Sequence, residues 1–538
     1  MRWYGWPMRG RAVAVAVLGV LAAGGAASGS PSTPASSASS TLVITGHGFG
    51  HGVGMGQWGA YGYALHGWTY DEILAHYYTG TTVGAVPAQD VRVLLREGHG
   101  SVTLGSASAW SLVDAAGRKL SLPRGTLTVP ASLELDGRTF ASPLVLTPGR
   151  SPVEVGNRAY RGGLLVVSNG KRLQVVNIVD LESYINSVVG SEVPQTWPAA
   201  ALEAQAVAAR SYALAELQTQ VTSSPYSLYS DSRSQVYDGI AAESPAVTKA
   251  VTSTAAEVVL YDGDVATTYF SSSTGGETAA GDDGKGRPLP YLVPVKDPYD
   301  TLSPYHDWGP VVMSAKTAGQ ALGLNAPLVD LQSAAAGAHV TTVTAVGTSS
   351  TETLTGAEVQ SDLGLRSTWF QLGWLSLTPP TARVPAGGSL TLSGTARGLL
   401  GVTLESRVTG GDWQTVGPVS PDATGAFTVQ VSPRGPTWYR LASGVVRAAL
   451  IRVDTGGILT ATVGTDAVTG AVSSQAAGAP IFLDRRQGKA WITVSTATAG
   501  TDGTFAFRPL PSPGTYRVRC MPGHGLSQSA ASVLTISP

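Results

Sequence analysis

The stretch SEVPQTWPAAALEAQAVAARSYAL, residues 191–214, constrains this 538-residue chain more than any other. Pro198 suits the first position of a helix, because proline has no amide proton to leave unpaired there and its φ is already helical. From Ala199 to Leu217 nearly every residue is Ala, Leu, Glu or Gln, which lose little side-chain entropy in a helix. The composition predicts a helix over 199–217. Its small side chains, Ala204, Ala206, Ala208, Ala209 and Ala213, allow close packing on neighbouring backbone. Upstream, Glu192 stands with Pro194 and Trp197 in a stretch that reads as a loop. A carboxylate there reads either as a catalytic acid or as a capping group favoured by the helix dipole, and the residues leave both open.

The length allows roughly two to four domains with full cores. Lys+Arg (35) nearly balances Asp+Glu (36), which argues against a nucleic-acid partner. A single cysteine, Cys520, excludes an intrachain disulfide framework and a cysteine-rich metal site. Arg2, Arg9 and Arg11 precede an apolar run over 12–23 and small residues through Ser28, the order of a secretory signal with cleavage near Ala27. The expectation is an exported protein with a signal peptide over 1–28 and no stable membrane span after its removal. Residues 29–41, rich in Ser, Pro, Thr and Ala, read as a disordered spacer.

Folded sequence begins with TLVITGHGFGHGVGMGQWGAYGYALHGWTYDEILAHYYTGT. A strand over 42–45 should run into a glycine-rich loop, then a helix over 57–65. A second helix over 70–78 has Thr69 as its cap and Glu72 as the capping-box partner. His47 and His51 stand four apart, but on a loop, so the helical H-E-x-x-H metal geometry does not apply. No metal site and no cofactor is expected. The functional reading is a backbone brought close to a ligand, with His47, His51 and Gln57 offering hydrogen bonds; the other is a structural glycine turn. Over 88–179, alternating segments punctuated by Gly, Asn and Pro predict antiparallel strands, with Asn169-Gly170 as a two-residue hairpin. A short helix should start at Asp180 and Leu181.

The 191–214 stretch resembles the central motif of the SpoIID/LytB family of bacterial cell-wall proteins, in which a Glu-Val-Pro or Glu-Met-Pro loop precedes an AQAVAARSYAL-like helix. Residues 47–60 and 363–370 resemble further family motifs, so the resemblance covers roughly residues 41–375. It implies an α+β SpoIID-like domain, an antiparallel sheet with packed helices, over 42–376. The glycine-rich motif usually follows the helix motif and here precedes it, a permuted order. The resemblance implies lytic transglycosylase chemistry on peptidoglycan glycan strands, with Glu192 as the one catalytic acid. Its pKa must then be raised by burial, against the N-terminus of the next helix.

As groove residues the resemblance implies His47, His51 and Gln57, then Gln205, Arg210 and Tyr212 on the helix. It adds Gln235 and Tyr237 in SLYSDSRSQVYDG, and Ser272, Ser273, Gly275 and Gly276 in the FSSSTGG turn. Where several members carry zinc-binding Cys and His, this chain has Ser230, Ser232 and Ser234, poor zinc ligands. Glu203, the competing carboxylate, is expected to face solvent or pair with Arg210. LytB members are named as enhancers of an N-acetylmuramoyl-L-alanine amidase, so an amidase partner and a non-catalytic wall-binding role form the rival reading.

Beyond residue 376 the sequence becomes β-like and repeats. The separation of Trp413 from Phe427 matches that of Trp491 from Phe505, and Tyr439-Arg440 is echoed by Tyr516-Arg517. Two all-β sandwich modules are expected, over 377–452 and 453–538, serving as spacers or wall-binding units.

Overall fold

The computed structural model describes residues 39–219, 224–381, 384–385, 387–456, 459–473, 476–521 and 529–537. The expected signal segment and residues 29–38 of the spacer lie outside them. The elements that position the site are, in order, β1 (Ser39–His47), α1 (Gln57–Leu65), α2 (Tyr70–Tyr77), β2 (Asp90–His99), β3 (Gly163–Ser168), β4 (Leu173–Asp180), α3 (Leu181–Glu192), α4 (Ala199–Thr219), β5 (Asp307–Ser314), β6 (Phe370–Thr378), β7 (Leu390–Arg397) and β8 (Ala426–Val431). Residues 39–41 belong to β1, so part of the stretch read as a disordered spacer is strand. The Thr69–Glu72 capping box of α2 forms as expected.

The centre of the fold is a seven-stranded sheet, ordered Leu228–Tyr229, β2, β4, β3, Leu144–Thr147, Trp110–Asp114, Lys119–Leu122. Its strands pair antiparallel except for Leu228–Tyr229 on β2. The β3–β4 hairpin turns one residue later than the sequence suggests: Asn169 N–H bonds the Arg172 carbonyl at 3.2 Å, leaving Gly170-Lys171 as the two-residue loop. Gly170, at φ +85°, takes the first loop position in the left-handed region that favours glycine, while the Asn169 side chain accepts from Lys171 and Arg172 N–H.

Helix α4 has no polar face along its length: among residues 201–215 all but Glu203 are buried. Leu202, Ala206, Ala209 and Ala213 join the sheet's core with Val175, Val179, Ile185 and Val189. Ala204, Val207 and Ala208 on the other side meet Met55, Ala60, Tyr63, Ile73 and Leu74 of the N-terminal segment. A helix covered on both sides needs apolar or small residues all round, which is why it is Ala-rich and lacks a stripe.

A second sheet is ordered β5-β1-β6-β7-β8. Strand β1 lies antiparallel between β5 and β6, with Ser39 opposite Leu377. The first described strand therefore sits beside the segment that ends the resemblance, the proximity that a permuted motif order needs. Strand β6 pairs onward with β7, so the sheet continues across position 377 into the C-terminal half. Val43, Leu375 and Leu377 share one core with Leu392, Leu404, Tyr439, Leu441 and Ile451.

The last part of the chain has its own core of Val468, Ile481, Leu483, Phe505, Tyr516, Val518 and Cys520, between a three-stranded and a four-stranded sheet. The sequence repeat appears in the packing. Arg440 stacks 3.8 Å from Trp413 and bonds Glu405, while Arg517 stacks 4.8 Å from Trp491 and bonds Asp484. No helix among the described residues is long and apolar enough to cross a membrane.

Candidate functional site

Asp180 accepts from Ser183 N–H at 2.9 Å and starts α3, whose last residue is Glu192. The sequence reading of a loop at Glu192 is thus corrected. The buried run Tyr184, Ile185, Val188, Val189 carries the helix to that point, and Val193 N–H still bonds the Val189 carbonyl at 3.2 Å. Pro194 ends it by holding Val193 extended, at φ −129° and ψ 155°. Glu192 therefore lies at the negative end of α3, which favours its neutral form, and the expected opposition from a helix N-terminus is not the nearest dipole.

The Glu192 side chain is buried. Its Oε1 accepts from Val236 N–H at 2.9 Å and its Oε2 from Gln57 Nε2 at 3.4 Å. Gln57 is the first residue of α1, so the glycine-rich motif and the helix motif, 135 residues apart, meet at this carboxyl. Desolvation pushes its pKa up to about 7, outweighing the Val236 and Gln57 hydrogen bonds that favour the ionised form. Gln235 steadies the Val236 amide: its carbonyl accepts from Tyr184 O–H at 2.9 Å and its amide donates to the Ala209 carbonyl at 3.1 Å.

Several other expected groove residues are turned inward, which corrects their reading as ligand contacts. Arg210 is fully buried; its guanidinium holds both Glu182 oxygens, at 2.9 and 2.7 Å, and the Glu257 carbonyl at 2.9 Å. Glu203 does not pair with it and instead accepts from Ser253 O–H at 2.8 Å. Gln235 and Tyr237 are buried as well, the Tyr237 hydroxyl donating to Asn177 Oδ1 at 2.6 Å. Gln205 is buried with neither amide atom hydrogen-bonded, and Tyr212 is buried beside Tyr269, ring centres 5.9 Å apart.

The FSSSTGG turn is also committed to the protein. Ser273 O–H donates to Asp300 Oδ2 at 2.8 Å, Gly275 N–H donates to the same oxygen at 2.9 Å, and Thr274 N–H to Oδ1 at 3.0 Å. Ser272 is buried, its carbonyl accepting from Trp58 N–H at 3.1 Å, and Gly276 N–H donates to Thr274 Oγ1 at 3.2 Å. Asp297 beside it accepts from Thr274 O–H at 2.8 Å; burial and the Asp300 charge push its pKa up to about 7. In sequence these acids are only two aspartates near a proline, with nothing to mark them as the frame of this turn.

The histidines serve the same packing. His47 Nδ1 sits 2.6 Å from Asp307 Oδ1, with its ring 4.8 Å from Trp369. His51 Nδ1 accepts from Val53 N–H at 3.0 Å, and burial lowers its pKa to about 4, so it is neutral near pH 7. Two glycines of this loop, Gly48 and Gly54, clear space for the protein's own backbone and not for a ligand. A Cβ on Gly54, at φ +69°, would lie 2.1 Å from the Tyr269 carbonyl oxygen, and one on Gly48, at φ +77°, 2.8 Å from that of Ser273. Among the described residues no three His, Cys, Asp or Glu side chains gather as a metal site.

The family model described as SpoIID, Stage II sporulation protein, matches residues 169–261, which contain β4, α3, α4 and the Gln235-Val236 bracket. An uncharacterized protein of Brachyspira hyodysenteriae is 36% identical over 133 residues, 25% of this chain and 36% of that protein. The Amidase enhancer of Bacillus subtilis is 32% identical over 143 residues, 27% of this chain and 19% of its own length. Stage II sporulation protein D of Bacillus subtilis is 30% identical over 217 residues, 37% of this chain and 62% of its own. The chain thus spans from about a fifth to about three fifths of the length of these relatives.

Proposed function

We propose that this chain, which belongs to the SpoIID/LytB family of cell-wall proteins, is an exported lytic transglycosylase that cuts peptidoglycan glycan strands with Glu192 as its acid and base. The observation that carries this reading is the Glu192 carboxyl, buried at a helix C-terminus with a pKa near 7 and aimed by Val236 and Gln57. A carboxyl poised there is protonated in part at neutral pH and can both give and take a proton.

In the proposed reaction Glu192 gives its proton to the glycosidic oxygen between N-acetylmuramic acid and N-acetylglucosamine as the C1–O bond breaks. The muramic 6-hydroxyl then attacks C1 and its proton passes to the Glu192 carboxylate, leaving a 1,6-anhydro ring and the acid restored. No water is consumed and no second catalytic carboxylate is needed, unlike most two-carboxylate glycosidases. Gln57 and Val236 act as positioning groups, since each holds one carboxyl oxygen and leaves the remaining lone pairs for substrate.

The rival reading, favoured by the likeness to the Amidase enhancer, is a wall-binding protein that stimulates an amidase without cutting glycan. Digestion of purified glycan strands, with and without stem peptides, by the wild type and Glu192→Gln separates the two. Anhydro-sugar ends in the mass spectrum from the wild type alone are expected. Wall binding without cleavage by either protein would replace the enzyme with the amidase enhancer.

A further inference from the structure

Gln57 of α1 touches Glu192, and the next residue of that helix begins a cluster of three aromatic rings. Trp58 and Tyr61, one helical turn apart, face Trp197 from the link between α3 and α4. Trp58 and Trp197 have ring centres 5.3 Å apart at 65°, Tyr61 stacks on Trp197 at 4.9 Å and 29°, and Trp58 and Tyr61 are 5.6 Å apart. Their backbones are fixed from both sides: Trp58 N–H bonds the Ser272 carbonyl at 3.1 Å, and Trp197 N–H the Pro194 carbonyl at 3.1 Å.

All three residues remain partly exposed, Trp197 while also packing against the central core, whereas Tyr63, Tyr77 and Tyr78 of the same N-terminal segment are buried. A cluster that served only the core would bury its faces, since each large aromatic ring contributes most when removed from water. Among the described residues the arginine–aromatic stacks lie at other rings, Tyr229, Tyr305, Trp413 and Trp491 among them. What remains is an aromatic cluster whose Trp58 directly follows Gln57, the residue that bonds the buried Glu192 carboxyl. A pyranose ring presents a flat C–H face that such a surface removes from water, while its hydroxyls stay solvated at the edge.

We propose that Trp58, Tyr61 and Trp197 form a sugar-stacking platform that holds the glycan strand beside Glu192. The proposal rests on the reading of Glu192 as acting on glycan and adds the residues that seat the substrate. The platform recognises sugar rings and not stem peptides, so a peptide-free oligosaccharide is sufficient to occupy it.

The test uses the β-1,4-linked tetramer of N-acetylglucosamine as probe, with the full chain and titration calorimetry. Trp58→Ala and Trp197→Ala should each weaken binding about tenfold, while Glu203→Gln, outside the platform, binds as the wild type does. Wild-type protein treated with N-bromosuccinimide should show both tryptophans shielded from oxidation by saturating tetramer, read by peptide mass spectrometry. That measurement needs no variant to fold. Unchanged oxidation, or alanine variants that stay folded and bind normally, would overturn the platform. If Glu192→Gln still releases anhydro-sugars while the tryptophan variants lose binding, the assignment of the acid fails and the platform stands.

Discussion

Burial raises the Glu192 carboxyl to about 7, and a raised acid has a defined sign in stability as well as in catalysis. The folded state holds this proton where the unfolded chain has lost it, so stability falls as pH rises from the unfolded value through the folded one. Glu192→Gln cannot lose that proton. Its stability relative to the wild type should therefore rise by roughly 3 kcal/mol between pH 4 and pH 8, as read by urea unfolding. Asp297, also raised to about 7, is present in both proteins and cancels in the difference. A constant difference across that range would show that Glu192 is not held neutral. Cleavage should decline above about pH 7 for the same reason, as the acid form is depleted. Glu182→Gln leaves the buried Arg210 guanidinium facing mainly carbonyls and should cost about 3 kcal/mol, whereas Glu203→Gln, at a partly exposed position bonded to Ser253 O–H, should change stability by under about 0.5 kcal/mol. Thermal unfolding of the two variants decides between this pairing and the Glu203–Arg210 pairing suggested by sequence spacing.

Helix α3 positions the acid, and its seat depends on one close backbone approach. A Cβ on Gly190 would lie 1.9 Å from the Ala242 carbonyl oxygen. By intrinsic propensity Gly190→Ala should stabilise a helix by about 1 kcal/mol. In this protein it should instead destabilise by about 1–3 kcal/mol, because α3 must move off the neighbouring chain. Since Glu192 is two residues further along, cleavage should fall more than stability does, and a kinetic assay at a temperature where the variant is folded would show it. A stabilised, fully active Gly190→Ala would mean that the 239–242 turn gives way freely.

The two halves of the molecule meet through β1, β6 and β7, one continuous sheet with a shared core around Val43, Leu375 and Leu377. A chain ending at residue 378 would expose the β6 edge and strip that core of Leu392, Leu404 and Leu441, leaving an unpaired apolar strand that invites aggregation. A chain ending at residue 456 keeps this core whole and loses only the separate one around Ile481 and Phe505. Size-exclusion chromatography and thermal melts should find the longer truncation monomeric with the stability of its first half preserved, and the shorter one aggregated. Two equally soluble truncations would show that β7 adds nothing to the sheet.

Local sequence by itself determined the pieces. Proline and alanine mark α4, the Thr69–Glu72 pair starts α2, and the alternation over 88–179 makes strands, because helix caps, propensity and period-two burial act between residues near in the chain. It also marked Glu192 and Gln57 as candidates, but not that they touch, nor that Glu192 ends a helix. Tertiary structure alone decided which polar groups face inward. Arg210, Tyr237 and Ser273, which the family resemblance implies as groove residues, are consumed by Glu182, Asn177 and Asp300, partners 28, 60 and 27 residues away. A buried polar group must be satisfied by whatever the fold brings to it, and that partner is fixed by three-dimensional packing and not by chain order.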